Sequence, residues 1–292
     1  MKDLIVYLLY RCLEFVVNIV PESIAYKVGK AFGNLAYILL PDRRRIAVQN
    51  LQLALNVDKE QAIALTKSNF EHLGKLLIEF LRFPQLSSDN IDELVEVEGL
   101  DYLLEAQQRE EGFVIFSGHF GNWELLGAAL ALKGFPVNAL ARDQNNELIN
   151  EHIISNRLST GINIFADRGM VVRKAYQALK KGEGLFVLGD QKERDAEDFV
   201  EFFGLEVGVK LGTVNLAART NSNIIPMYIA RKSEGKHKII VKEPLEVEKN
   251  ITREAKRQVM EELYTTLEEV IREYPDQWLW AHKRWQLSFD YK

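Results

Sequence analysis

His119 and Glu124 are the two residues in this chain whose types and spacing most directly suggest chemistry. A carboxylate held against one imidazole nitrogen fixes the tautomer and stabilises the imidazolium, which leaves the other nitrogen free to take a proton from a hydroxyl. Side chains five apart on one continuous helix diverge by about 140°, so the two can meet only if His119 precedes the helix. Gly118 and Gly121 flank His119 and make such a turn feasible. The other reading of such a pair is a buried structural histidine satisfied by its neighbours. No Cys lies nearby and no Gly-x-Ser-x-Gly elbow occurs, which favours direct base catalysis over a serine or cysteine nucleophile. Ser117 is read as a structural residue or at most a substrate contact.

The elements that must position this pair follow from hydrophobic spacing. Phe113 to Ser117, Leu185 to Leu188 and Ile224 to Ile229 are short apolar runs that predict buried strands, and His237 to Val241 alternates as an edge strand would. Helices are predicted at 122–132, 146–158 and 169–181, with a long amphipathic one from Arg253 to Arg272. Asp58 and Gln61 form a capping box ahead of a further helix, which Pro84 stops. Alternating strands and helices predict an α/β fold with a mixed central sheet flanked by helices. In such sheets ligands gather beyond the carboxyl ends of the strands, where His119 would sit.

The N-terminus has a different character. Leu4 to Val20 and Ile24 to Leu40 are two largely apolar runs, closed by Pro21 and Pro41. The first carries Arg11, Glu14 and Asn18 on one helical face, and the second carries Lys27, Lys30 and Asn34 on one. Each is marginal for a bilayer span of roughly 20 residues, so residues 1–41 are expected to form an amphipathic helical hairpin on a membrane surface, with 42–292 as the main domain. Arg43, Arg44 and Arg45 would meet anionic headgroups. A buried helical pair capping the main domain is the alternative. Arg11 and Glu14 interrupt the apolar run, which argues against a cleaved signal peptide. Cys12 is read as packing.

Composition narrows the classes. The 292 residues, 47% of them hydrophobic, suffice for a full core. A net charge of -5 excludes a broad nucleic-acid footprint. One cysteine excludes an internal disulfide and a thiolate metal cluster, and the five histidines show no ligand spacing, so no metal or cofactor is expected. His72, His152, His237 and His282 are read as structural or surface residues.

The segment Gly118 to Glu124 resembles the His-x4-Asp/Glu signature of the late acyltransferases of lipid A biosynthesis and of the related mannoside acyltransferases. The resemblance extends through Arg43 to Arg45, Asn50 and Leu51, the pair Asp190 and Gln191, Phe202 to Gly204, Ile225 and Pro226, and the tail Gln277 to Trp285. It implies transfer of a fatty acyl group from a carrier thioester, acyl carrier protein or coenzyme A, to a hydroxyl of a lipid A precursor or related glycolipid. The implied setting is the cytoplasmic face of a bacterial inner membrane. It implies that His119 acts as base, that Glu124 supports the charge on His119, and that Arg157 donates to the oxyanion. Asn122, Arg142, Asp190, Gln191, Phe202 and Phe203 become candidate substrate contacts. A solvated Arg142, a capping Asp190, a surface Arg157 and a purely packing Phe202–Phe203 pair stay open beside those roles. Trp278, Trp280 and Trp285 are expected to pack against the last helix. Rival functions are lysophospholipid acylation, mannoside acylation, and a non-enzymatic lipid-binding role.

Overall fold

The computed structural model describes residues 2–141, 143–166, 170–192 and 196–291. Four helices come first: Lys2–Ile19 (α1), Glu22–Leu39 (α2), Pro41–Leu55 (α3) and Lys59–Leu81 (α4). Ile91–Leu94 (α5), Val95–Glu98 (β1), Leu100–Gln108 (α6), Phe113–Ser117 (β2), Trp123–Leu132 (α7) and Val137–Ala141 (β3) follow. Next are Glu147–Ser159 (α8), Asn163–Ala166 (β4), Val171–Lys180 (α9), Gly184–Leu188 (β5), Asp198–Phe202 (β6) and Leu205–Val209 (β7). Gly212–Thr220 (α10), Asn223–Ser233 (β8), Lys236–Val241 (β9) and Arg253–Glu273 (α11) complete the order.

The central sheet has the order β1-β9-β8-β2-β5-β3-β4. Strands β8, β2, β5, β3 and β4 are mutually parallel, while β9 pairs antiparallel with β8 and parallel with β1. The mixed sheet expected from the sequence is therefore present, flanked by helices. Phe113 and Ile115 of β2 pack with α7 through Leu126 and Leu130, while Val114 and Phe116 face the core shared with α11 through Leu263 and Leu267. Burial on both faces explains the unbroken apolar run. β9 departs from expectation: it is an interior strand, covered by β1 in the register Val95↔His237. Its alternation has another cause, since Lys238 is turned outward to Glu98 at 2.7 Å while His237 and Ile239 are buried.

The predicted helices at 122–132, 146–158, 169–181 and 253–272 appear as α7, α8, α9 and α11. The capping box is also formed, with Asp58 Oδ1 accepting from Gln61 N at 2.8 Å.

On the two N-terminal helices the polar stripes, and not the apolar faces, meet the rest of the protein. On α1 the polar stripe faces protein: Glu14 is buried and accepts from His152 Nε2 at 2.7 Å and Asn156 Nδ2 at 3.1 Å, and Asn18 donates to the carbonyl of Leu81 at 2.8 Å. On α2, Lys30 and Asn34 both reach Glu71 of α4. The apolar side is left outside, where Leu4, Leu8, Leu9, Phe15 and Ile19 of α1 and Ile38 and Leu39 of α2 are exposed. Cys12 shares the exposed side and is not packed in the core. Among the described residues no helix is long and apolar enough to cross a membrane.

Three glycines let α2 and α4 approach backbone to backbone. A Cβ at Gly33 would lie 2.2 Å from the carbonyl oxygen of Phe70, and one at Gly74 would lie 2.1 Å from that of Gly29. Ala is the better helix former, but a clash with main chain cannot be relieved by a rotamer change. Gly33→Ala is accordingly expected to destabilise the protein by about 1–3 kcal/mol, read as a lowered Tm in detergent; an unchanged or raised Tm would contradict this packing.

Candidate active site

Register brings the site together. Ser117 of β2 pairs with Leu188 of β5, so the residues two places further on, His119 and Asp190, leave adjacent parallel strands side by side. His119 Nδ1 lies 2.7 Å from Asp190 Oδ1, and the backbone N–H of His119 donates to Asp190 Oδ2 at 2.8 Å. Trp278 Nε1 donates to the same Oδ2, also at 2.8 Å. Asp190 is 2% exposed, so each of these bonds compensates lost hydration of a charged oxygen.

The carboxylate in hydrogen-bond contact with His119 is thus Asp190, where the sequence pattern put Glu124. Glu124 sits in the first turn of α7 and turns to α8, where it forms a two-pronged ion pair with Arg157, Oε2 to Nε at 2.9 Å and Oε1 to Nη2 at 2.7 Å. His119 precedes that helix, as the spacing required, but its ring meets Trp123 edge-on at 5.1 Å between centroids. Register with a neighbouring strand is a tertiary relation, and no spacing along the chain reports it.

Burial opposes the charged form of His119, but the Asp190 charge and hydrogen bond, with a further contribution from Glu124, outweigh it and raise the pKa. Burial likewise opposes ionisation of Asp190, while His119 and the N–H donors hold its pKa below the ordinary value. At neutral pH the pair is an Asp190 carboxylate accepting from Nδ1 of His119. Nε2 is the nitrogen left toward the surface, 3.1 Å from the side-chain amide of the exposed Gln191.

The turn from Gly118 to Asn122 is clamped from behind. Gly121 has φ +59, and a Cβ there would fall 1.5 Å from the carbonyl oxygen of Ile229, so only glycine fits. The C-terminal tail meets the turn in a single antiparallel β-bridge, Phe120 opposite Trp278: Gly121 N donates to Gln277 O at 2.8 Å and Leu279 N donates to His119 O at 3.0 Å. Asn69 and Asn50 hold that tail by its carbonyls at Trp278, Trp280 and His282.

The remaining candidates divide. Asn122 is fully buried; it caps α7 by accepting from Leu125 N at 3.0 Å and donates to Glu79 at 2.7 Å, so it is structural and not a substrate contact. Phe202 and Phe203 are also buried, stacked and edged against Trp278, Trp280 and Trp285 as core residues. All three tryptophans pack in the core, as expected. Arg142 lies outside the described residues. Arg157 is part-buried on its ion pair and lines an apolar cavity of about 200 Å³ with Trp123, Glu124, Ala128, Leu140 and Ile162.

Glu79 is the residue that sequence reasoning missed. Buried on α4, it accepts from Tyr26 and Asn122 and pairs with Arg231. Arg231 and its neighbour His237 keep the Glu79 carboxyl ionised against the penalty of burial. His72, beside it, is pushed down to about 3 by burial and by Arg231, and its Nε2 bonds the Gly121 carbonyl at 3.1 Å. Glu79 falls in the helical run that Pro84 closes, and a single charged residue there carries no signal of its own.

Comparison with known proteins gives the family. Residues 2–287 match the family model for bacterial lipid A biosynthesis acyltransferases. The lipid A biosynthesis palmitoleoyltransferase of Escherichia coli (strain K12) is 29% identical over 274 residues, covering 91% of this chain and 86% of that protein. The lauroyltransferase of the same strain is 24% identical over 273 residues, with the same coverage of each chain. A phosphatidylinositol mannoside acyltransferase of Mycolicibacterium smegmatis is 21% identical over 175 residues, 59% of this chain and 57% of its own. With a family match over nearly its whole length, the chain belongs to the bacterial lipid A biosynthesis acyltransferases and is an acyltransferase.

Proposed function

We propose that this acyltransferase moves a fatty acyl group from an acyl-carrier thioester to a hydroxyl of a lipid A precursor. The observation that carries the reading is His119: its Nδ1 is committed to a buried carboxylate, and its ring packs on Trp123, which lines the apolar cavity.

In the proposed step the acceptor hydroxyl takes the place of Gln191 at Nε2. Its proton passes to Nε2 as its oxygen bonds the thioester carbon, and Asp190 stabilises the imidazolium. The tetrahedral intermediate collapses with cleavage of the C–S bond, and the thiolate leaves with the proton from Nε2. Glu124 takes two hydrogens of Arg157, on Nε and Nη2, and leaves the Nη1 hydrogens to meet an oxyanion. Glu124 then acts mainly by holding Arg157, while its charge also favours the cationic form of His119. The acyl chain lies in the cavity beside Arg157. Acyl carrier protein is the donor partner, and no cofactor takes part.

The outward apolar faces of α1 and α2, next to Arg43 and Arg45, suit attachment to the cytoplasmic face of a bacterial inner membrane. Apolar faces this long are costly in water and complementary to the headgroup–acyl boundary.

The deciding assay supplies acyl-carrier-protein thioester with a lipid A precursor, a phosphatidylinositol mannoside or a lysophospholipid; fastest transfer to the lipid A precursor is expected, and faster transfer to either other acceptor would displace the reading. The pH profile tests the base. Wild-type kcat/KM should fall as pH drops through the raised pKa of His119, because protonation removes the base. Asp190→Asn leaves burial as the main influence on the ring, so the acid limb should move to lower pH while the plateau drops by about 10²–10⁴; Glu124→Gln should move that limb less. An acid limb unmoved in Asp190→Asn would show that another group titrates. For attachment, Leu9→Glu and Phe15→Glu should each weaken binding to anionic vesicles about tenfold, and wild-type binding by both would rule out this face.

A further inference from the structure

Arg43 stands between two recesses that the transfer step leaves unused. On one side is an apolar groove of about 540 Å³ between α2 and α4, walled by Phe32, Ala36, Leu73, Leu77 and Leu279. On the other is a cleft of about 500 Å³ lined by Arg43, Arg45, Lys283 and Tyr291, with Asp42 at its edge.

The groove joins membrane face to catalytic turn. Its outer wall, Phe32 of α2 and Leu40 just past that helix's end, is exposed and apolar, so an acyl chain can enter from hydrocarbon without crossing water. Its inner wall touches the site: Leu279 N donates to the carbonyl of His119 at 3.0 Å. His282, also in the groove, accepts from the backbone N–H of Lys192, the residue after Gln191, at 3.0 Å.

The cleft supplies the charge. It sets Arg43, Arg45 and Lys283 against one carboxylate, Asp42, an excess of two positive charges (three minus one). Asp42 pairs with Arg45 at 2.6 Å, whereas Arg43 makes a 3.3 Å bond to the carbonyl of Ala281 and Lys283 lies over the Tyr291 ring. Arg43 and Lys283 are thus the cations with donors to spare for a phosphate.

We propose that these recesses dock the acceptor, with one acyl chain of a phosphorylated glycolipid in the groove and its phosphate on Arg43 and Lys283. The inference rests on the proposed acceptor class and adds where that acceptor sits. The cavity beside Arg157 remains for the donor chain, and His119 touches a wall residue of each space, Trp123 on one side and Leu279 on the other.

The test is co-sedimentation of the full chain with phosphatidylcholine vesicles, with and without a phosphorylated, acylated glucosamine disaccharide, beside a separate transfer assay. Arg43→Gln and Lys283→Gln should each weaken glycolipid-dependent binding about fivefold, and Ala36→Trp should weaken it by filling the groove. Lys59→Gln, at the exposed start of α4, should bind as wild type does. Wild-type binding by the double variant Arg43→Gln/Lys283→Gln overturns the site. Equal displacement of the glycolipid by phosphatidylglycerol or inorganic phosphate overturns it too, by reducing it to a general anion surface. Binding that depends on these residues in a wild-type protein that transfers no acyl group would keep the docking site and sink the proposed function instead.

Discussion

The Asp190 carboxylate accepts from the His119 ring, from the His119 backbone and from the Trp278 indole, and the remainder of the site is arranged around those three bonds. A buried carboxylate is costly unless each oxygen is satisfied. Here the three donors come from places far apart in the chain, the exit of β2 and the C-terminal tail. The charge therefore ties the tail to the turn, and the tail in turn clamps the turn through Gln277 and Leu279. Trp278 serves both ends, since its ring packs on Phe202 while its N–H reaches Asp190.

Two further buried carboxylates extend the same logic to the N-terminal helices. Glu14 of α1 is held by His152 and Asn156 on α8, and the residue after Asn156 is Arg157. Glu79 on α4 joins Tyr26 of α2 to Asn122, the cap of the helix that carries Glu124. The helices with outward apolar faces are therefore fixed, by hydrogen bonds that cannot be traded for water, to the elements that carry Glu124 and Arg157. Removing one partner of such a buried set leaves an uncompensated charge, which makes the arrangement specific in geometry as well as stable.

Polarity along α1 and α2 illustrates how far an amphipathic pattern can be read. Arg11, Glu14 and Asn18 do share one helical face, but α8 and α4 lie against it, and the apolar face is outside. Helical spacing says that two faces differ. Which of them meets protein depends on the partners offered by the rest of the fold, here a histidine, an asparagine and a backbone carbonyl.

The sequence by itself determined strands β2, β5 and β8 and helices α4, α7, α8, α9 and α11, the α/β class, the turn that places His119 at a strand exit, the family resemblance and the packing role of the terminal tryptophans. These rest on local relations: apolar periodicity, glycine at a tight turn, a capping box, ordered motifs. The tertiary structure alone decided which carboxylate meets His119, because β2 and β5 are neighbours only through sheet order, and it turned Glu124 to Arg157. It likewise withdrew Asn122, Phe202 and Phe203 into the interior and made Glu79 a hub. Hydrogen-bond partners across strands and helices are set by where distant segments come to rest, and residue type and spacing along one segment carry no record of that.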